Sequence, residues 1–340
     1  MIQIGIVGQG FVGNAIKEGF KNNFEVLTYD KYLDSKSNCT LEEMVEKCSI
    51  IFSCVPTPMD MSTGEASIDI VKEVVGNINE ISKKLKAKPT VIIKSTIPVG
   101  VTQYLDDIIG PDIDVMFSPE FLTEANAVED FKNQNRIVLG INRNSYDKEL
   151  PQYVNNVKTM FNEIFMGRAE IVVTGAQIAE MVKYVTNTFL ATKVSYANEI
   201  YQLAECNGIE YSEVIKIAKL DKRLGDSHWM VPGPDGDFGF GGHCFPKDLQ
   251  ALRYMAKQSD VSTQVLDSVL HKNDSVRRDR DWEKQEGRAV INKKEFNSND
   301  WQGRSEKKVR NNYKIAYITI KIVTIAAASI AAFELIKSMI

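Results

Sequence analysis

The chain has 340 residues, enough for two compact domains and a tail. Its formal charge is −4, with 44% hydrophobic and 25% charged residues, so there is no basic surplus to neutralise phosphates and no electrostatic case for nucleic acid. The cysteines at 39, 48, 54, 206 and 244 show no CxxC pairing, and only three histidines occur, which argues against a metal site and reads as a reduced, cytoplasmic protein.

The first half alternates short apolar runs with amphipathic stretches. No secretory leader opens it, since the N-terminus runs directly into the strand-like "IQIGIVG". "VGNAIKEGFKN" reads as a helix, "EVLTYD" as a strand, "TLEEMVEKC" as a helix and "SIIFSCV" as a strand. "DIVKEVVGNINEISKKLK" is a helix, "TVIIKST" a strand and "VGVTQYLDDII" a helix, with further strands at "DVMFSPE" and "RIVLGI". This alternation implies an α/β fold: a Rossmann-like, doubly wound parallel sheet over residues 1–174. From Gly175 the pattern turns helical. "GAQIAEMVKYVTNTFLATKVSYANEIYQLAECNG" repeats apolar residues at i, i+3, i+4 spacing and stops at a glycine. Its length suits a helix spanning a domain or dimer interface. Shorter helices are expected at "YSEVIKIAKLD" and "DLQALRYMAKQ", so residues 175–274 form an all-helical second domain. Residues 275–312 are charged and irregular and read as a solvated linker. Residues 313–340 are apolar nearly all round. They read either as a membrane anchor or as a helix docked on protein.

"GIVGQGFVGNAI" places Gly8, Gly10 and Gly13 in GxGxxG register, between a strand and a helix. The first glycine permits a tight turn, the second admits a pyrophosphate, and the third lets helix and strand pack closely. The cradle Gly8-Gln9-Gly10-Phe11-Val12-Gly13 is followed by Asp30 at the end of the second strand, where a carboxylate can bind ribose hydroxyls and repel a 2′-phosphate. NAD is therefore expected over NADP. Glycine-rich turns also occur without a ligand, but strand, turn, helix and acid agree here.

A buried, inert thiol is the default for a free cysteine. Cys244 departs from it, lying in "DFGFGGHCFPKDLQALRYMAK" with glycines at 239, 241 and 242 and a helix directly after it. A helix N-terminus stabilises a thiolate, so the thiol is expected to be activated at neutral pH. Asp248 lies one turn on. His243 reads as a neighbour rather than a base, because adjacent side chains diverge. A nicotinamide cofactor and a nucleophilic thiol in one chain suggest an oxidation through an aldehyde, trapped as a thiohemiacetal and released through a thioester.

These motifs resemble the UDP-glucose/GDP-mannose dehydrogenases. The resemblance is carried in order by "GQGFVG", "CVPTP", "KSTIPVG", "SPEFLTEANAVEDF" with "NRIVLG", "AEMVKYVTNTFLATKVSYANEI" and "GFGGHCFPKD". It implies four-electron oxidation of a nucleotide-sugar C6 alcohol with NAD, UDP-glucose being the expected substrate although "CFPKD" also suits GDP-mannose, by a dimer joined through the long central helix. Cys244 matches the nucleophile, and Lys183 and Asn187 match a pair that stabilises the alkoxide and tetrahedral oxyanion. Glu120 matches the glutamate that handles protons in thioester hydrolysis. Asp248 and Thr96 match residues that position water and a general base. Val55, Pro56, Thr57, Ser95 and Thr96 match cofactor contacts, and Glu124 the nicotinamide side. Phe121, Leu122, Gly239 and Gly241, with Glu120, Lys183 and Asn187, would border the substrate. Family members continue into a nucleotide-sugar-binding domain that the sequence after "QVLDSVLHKND" does not resemble. Two rival readings stay open: a two-electron β-hydroxyacid-type dehydrogenase that does not need Cys244, and a non-catalytic NAD-binding protein.

Overall fold

The computed structural model describes residues 3–142 and 149–292, and all of these but Asn292 fall in one compact unit, Met1–Ile291. The expected apolar helix at 313–340 and the linker from 293 onward lie outside the described residues. Among the described residues no helix is long and apolar enough to cross a membrane.

Strands β1 (Gln3–Val7), β2 (Glu25–Tyr29), β3 (Ile50–Ser53), β5 (Thr90–Ile93), β6 (Asp114–Phe117), β7 (Arg136–Ile141) and β8 (Glu170–Gly175) form one sheet. Their order is β2-β1-β3-β5-β6-β7-β8. All pairs are parallel except β6 with β7, which meet antiparallel at Phe117 and Gly140. The doubly wound parallel reading therefore holds, with one antiparallel step. Helices α1 (Phe11–Phe20), α5 (Ala127–Lys132) and α6 (Gln152–Phe165) cover one face. There Phe20, Phe52, Phe131, Phe161 and Phe165 build an aromatic core. Helices α2 (Leu41–Lys47), α3 (Asp69–Leu85) and α4 (Val101–Ile109) cover the other with an aliphatic core of Val71, Val75, Ile78, Val91 and Leu105. α6 and β8 go beyond the elements read from sequence, although Val154, Val157, Phe161 and Phe165 carry a helical period.

α7 (Ala176–Cys206) is the long helix expected. It seats against the sheet because Gly140 is small: a Cβ there would lie 2.7 Å from Ala179 Cβ and 3.0 Å from Ala176 Cα. α8 (Tyr211–Ala218), α9 (Phe245–Gln258) and α10 (Gln264–Val276) follow. The stretch after α10 corrects the expectation of a solvated linker. Trp282 is buried, and with Ala289, Val290 and Met59 it forms a small core of its own. β9 (Val290–Ile291) pairs in parallel with β4 (Met59–Asp60). One of its charges is matched rather than solvated: the Arg277 side chain is 4% exposed, among Asp235, Asp237 and Asp281.

Candidate active site

The glycine turn lies between β1 and β3, where the strand order reverses and open α/β sheets bind ligands. Gly8 has φ +89°, and a Cβ there would meet the Cys54 carbonyl oxygen at 2.8 Å. A Cβ on Gly13 would sit 2.0 Å from the Gly8 carbonyl oxygen, so helix and strand touch through a residue that must be glycine. At Gly10 a Cβ meets nothing within 4 Å. Gly10 caps α1 with no side-chain hydrogen bond and no acid in the first turn. The first N–H groups of α1 thus have open space before them and no side-chain acceptor, which fits a dinucleotide pyrophosphate. Asp30 fastens the turn: its carboxylate accepts the N–H groups of Gln9 (2.8 Å), Tyr32 (3.0 Å) and Leu33 (3.1 Å). A carboxylate offers about four lone-pair sites, so room for a ribose hydroxyl remains. Thr57 Oγ1 donates to the Thr96 carbonyl at 2.7 Å and Ser95 Oγ to the Val55 carbonyl at 2.5 Å, lacing the ends of β3 and β5 around exposed Pro56. Thr96 is thereby held on this side and not bonded to Asp248.

One face of α7 carries Glu180, Lys183, Tyr184, Asn187 and Thr188, all buried. Lys183 Nζ donates to the Glu120 carbonyl at 2.6 Å and to its Oε1 at 2.9 Å. Glu120 Oε2 accepts the Leu122 N–H at 2.7 Å, so that amide is already engaged. Asn187 Nδ2 donates to Asp248 Oδ2 at 2.6 Å, and Lys247 Nζ to Asp248 Oδ1 at 2.5 Å. Lys183 and Asn187 stand side by side, as their spacing requires, but each holds a different carboxylate. Burial alone would lower the Lys183 pKa; Glu120, Asp248 and Cys244 outweigh it and hold the amine above its ordinary value. Lys183 is therefore a fixed cation, suited to stabilising an oxyanion rather than to accepting protons.

Cys244 is the N-cap of α9, with Asp248 one turn on and the Asp248 N–H bonded to the Cys244 carbonyl at 2.9 Å. Burial opposes the activation expected from the helix end. Burial, followed by the charge of Glu120, pushes the thiol up to about 12, against the lowering influence of Lys183 and Lys247. At neutral pH it is a thiol, and its proton must leave during the reaction. His243 lies edge-on to Phe11 of the cradle at 5.2 Å, with Nδ1 3.2 Å from Glu124 Oε2. Burial holds it below the usual histidine range, although Glu124 pulls the other way. Glu124 also pairs with Arg288 at 2.7 Å.

The side-chain directions of Gly239 and Gly241 are filled by protein. A Cβ would meet Asn273 Oδ1 at 2.3 Å at the first, and Arg277 Nη2 at 2.2 Å at the second. Phe121 carries the Arg136 guanidinium 4.1 Å above its ring. Several participants were not singled out in the sequence. Lys94 donates to Ser118 Oγ (3.2 Å) and the Pro119 carbonyl (3.1 Å), directly before Glu120, and burial lowers it to about 8. Glu180 accepts the Gly100 and Thr102 N–H groups at 2.6 and 2.8 Å, tying α7 to the start of α4. Lys94 and Lys247 lie inside the quoted "KSTIPVG" and "GFGGHCFPKD"; their burial was the missing signal.

A glycine cradle of the dinucleotide-binding kind and a set of lysines, carboxylates and a thiol thus lie in one unit. The NAD binding domain of the UDP-glucose/GDP-mannose dehydrogenase family matches residues 27–163. The central domain of the same family matches residues 177–275. The chain belongs to the UDP-glucose/GDP-mannose dehydrogenase family, and NAD is its cofactor. It is 35% identical over 235 residues to a UDP-glucose 6-dehydrogenase of Rickettsia bellii, covering 68% of this chain and 50% of that one. It is 31% identical over 276 residues to a UDP-glucose 6-dehydrogenase of Rhizobium meliloti, covering 78% and 60%. A UDP-glucose dehydrogenase structure from Pyrobaculum islandicum superposes with a TM-score of 0.69 at 26% identity, covering 81% of this chain and 68% of that one. The chain thus spans roughly half to three-fifths of the length of these curated relatives.

Proposed function

We propose that the chain is an NAD-dependent nucleotide-sugar 6-dehydrogenase that oxidises a C6 alcohol to a carboxylate, with UDP-glucose as the substrate to test first. The observation that carries this is one cluster in which Lys183 holds Glu120, Asn187 and Lys247 hold Asp248, and Asp248 lies one turn from Cys244 at the start of α9. A two-electron dehydrogenase has no use for such a thiol. Gly8–Gly13 and the Val55–Thr57 and Ser95–Thr96 loops would hold NAD+, which when bound would supply the hydride acceptor for each of the two oxidations. Lys183, with Asn187 beside it, stabilises the alkoxide left as the C6 hydroxyl gives its proton to water held by Asp248 and Thr96. Cys244 Sγ then bonds to the aldehyde carbon, its proton passing to the carbonyl oxygen, which gives a thiohemiacetal. Loss of the second hydride and the hydroxyl proton leaves a thioester. Glu120 takes a proton from attacking water, the C–S bond breaks, sulfur regains a proton and the acid departs. Glu124 faces the nicotinamide side, and the backbone of Phe121, Leu122, Gly239 and Gly241 borders the sugar nucleotide.

We also propose a homodimer through α7, whose outward stripe of Ile178, Met181, Val185, Phe189, Tyr196 and Leu203 is exposed at near-heptad spacing.

The full chain with UDP-glucose and NAD+ should yield two NADH per sugar, and Cys244→Ser should lose roughly 10³-fold or more of that turnover. One NADH per substrate, unchanged by the substitution, would indicate the hydroxyacid type. Binding of NAD without turnover of any nucleotide sugar would leave a binding protein.

A further inference from the structure

We propose that residues 277–291 form a strap that positions Cys244, with Arg277 and Asp281 holding the glycine loop that presents the thiol. This rests on Cys244 being the reacting group. The strap lies beyond the matched family domains, which end at residue 275.

The contacts converge on the loop. Arg277 Nη1 meets Asp235 Oδ2 at 2.6 Å, Nη2 meets Asp281 Oδ1 at 3.1 Å, and Nε donates to the Asp279 carbonyl at 2.7 Å. Asp281 in turn accepts the Gly242 N–H through both oxygens, at 3.2 and 2.9 Å. Gly242 has φ +69°, so the chain turns there, two residues before the thiol, in a conformation that favours glycine. A Cβ at Gly241 would run into both Arg277 Nη2 (2.2 Å) and Asp281 Oδ1 (2.3 Å), so the ion pair lies directly against the loop backbone. Asp237 Oδ2 accepts the Arg278 and Asp279 N–H groups at 3.1 and 2.9 Å, stitching the start of the loop to the start of the strap.

The far end of the strap is anchored elsewhere. Trp282 is buried, beside Met59 of β4, and β9 extends β4 through the register Met59↔Val290. Arg288 pairs with Glu124, whose other oxygen lies 3.2 Å from Nδ1 of His243, next to the thiol. The strap therefore reaches the thiol loop directly at Gly242, while Glu124 approaches His243 Nδ1 without a hydrogen bond. It joins that loop to β4 and Glu124 in the cofactor-binding half. A buried guanidinium with several acceptors is stiff, and misplacement of a reacting atom by about 1 Å costs about 10²-fold in rate.

Peptide-resolved mass spectrometry of iodoacetamide labelling on the full chain reads the loop directly, because the half-buried Cys244 thiol reacts faster when the loop that holds it loosens. Asp281→Ala should speed Cys244 labelling at least about tenfold. With UDP-glucose and NAD+ it should lower kcat about 10²-fold, with NAD affinity kept within about threefold. Asp281→Asn, which keeps an acceptor for Gly242, should restore both towards the parent. The exposed strap variant Lys284→Ala should match the parent. If Asp281→Ala does not fold, Arg277→Lys carries the same measurements, since one ammonium cannot span the contacts of a guanidinium. Parent-like labelling of Cys244 in folded Asp281→Ala, or in Arg277→Lys in its place, overturns the proposal. Absence of nucleotide-sugar turnover in the parent overturns the function proposed above, while the labelling comparison still decides the strap.

Discussion

At the scale of single residues, burial decides protonation. Cys244 is pushed up to about 12 chiefly by desolvation, while Cys206 is exposed. Iodoacetamide at pH 8 should therefore modify Cys206 before Cys244, as resolved by peptide mass spectrometry; the reverse order would mean that the thiol is activated before substrate arrives. Lys183 and Glu120 are buried together, with side chains 3% and 7% exposed. Lys183→Met leaves Glu120 uncompensated and should cost about 3–5 kcal/mol, measured by urea unfolding. Glu180 supplies the clearest pH signal. Burial raises its carboxyl to about 7, against the lowering effect of the Thr102 and Gly100 hydrogen bonds. Its folded pKa exceeds the unfolded one, so between the two the native state binds more protons. The associated stability is complete below about pH 4.5 and is lost as pH rises through about 7. The loss is on the order of 3 kcal/mol, and Glu180→Gln should flatten the dependence of the urea midpoint on pH across that window.

At the scale of elements, α7 serves two surfaces at once. Its inner face holds the buried charges of the site, packed close to the sheet where Gly140 meets Ala179. Its outer face exposes Val185 (56%) and Phe189 (63%) in the same stretch. Val185→Asp with Phe189→Asp should convert a dimer to a monomer in sedimentation without moving the NAD affinity; a parent that already sediments as a monomer would remove the dimer proposal. α7 was legible because its apolar period runs for thirty-one residues with a glycine soon after its end. The strap was not, because a segment with Arg277, Arg278, Asp279, Arg280, Asp281 and Glu283 looks solvated until its partners are known. Those partners, Asp235, Asp237 and Glu124, are 41 to 164 residues away. Composition cannot show charge pairing at that range.

At the scale of the whole molecule, the reversal of strand order between β1 and β3 and the helical face of α7 bring the cradle and the thiol cluster into one unit. The cradle was readable in advance because strand, glycine turn and helix are contiguous, and the glycines answer to local sterics: Gly13 against the Gly8 carbonyl, Gly8 against Cys54. The residues of the thiol cluster were named from their motifs. The order of those motifs along the chain established the family and the parallel sheet, because both depend on local patterns of apolar spacing and turn chemistry. Only the tertiary structure decided that burial works against a thiolate at Cys244, that Lys183 and Asn187 grip separate carboxylates, and that Asp281 beyond α10 binds the glycine loop at Gly242. Each of these depends on desolvation and on charges brought together from distant positions, and no local pattern encodes how deeply a group is buried or what faces it.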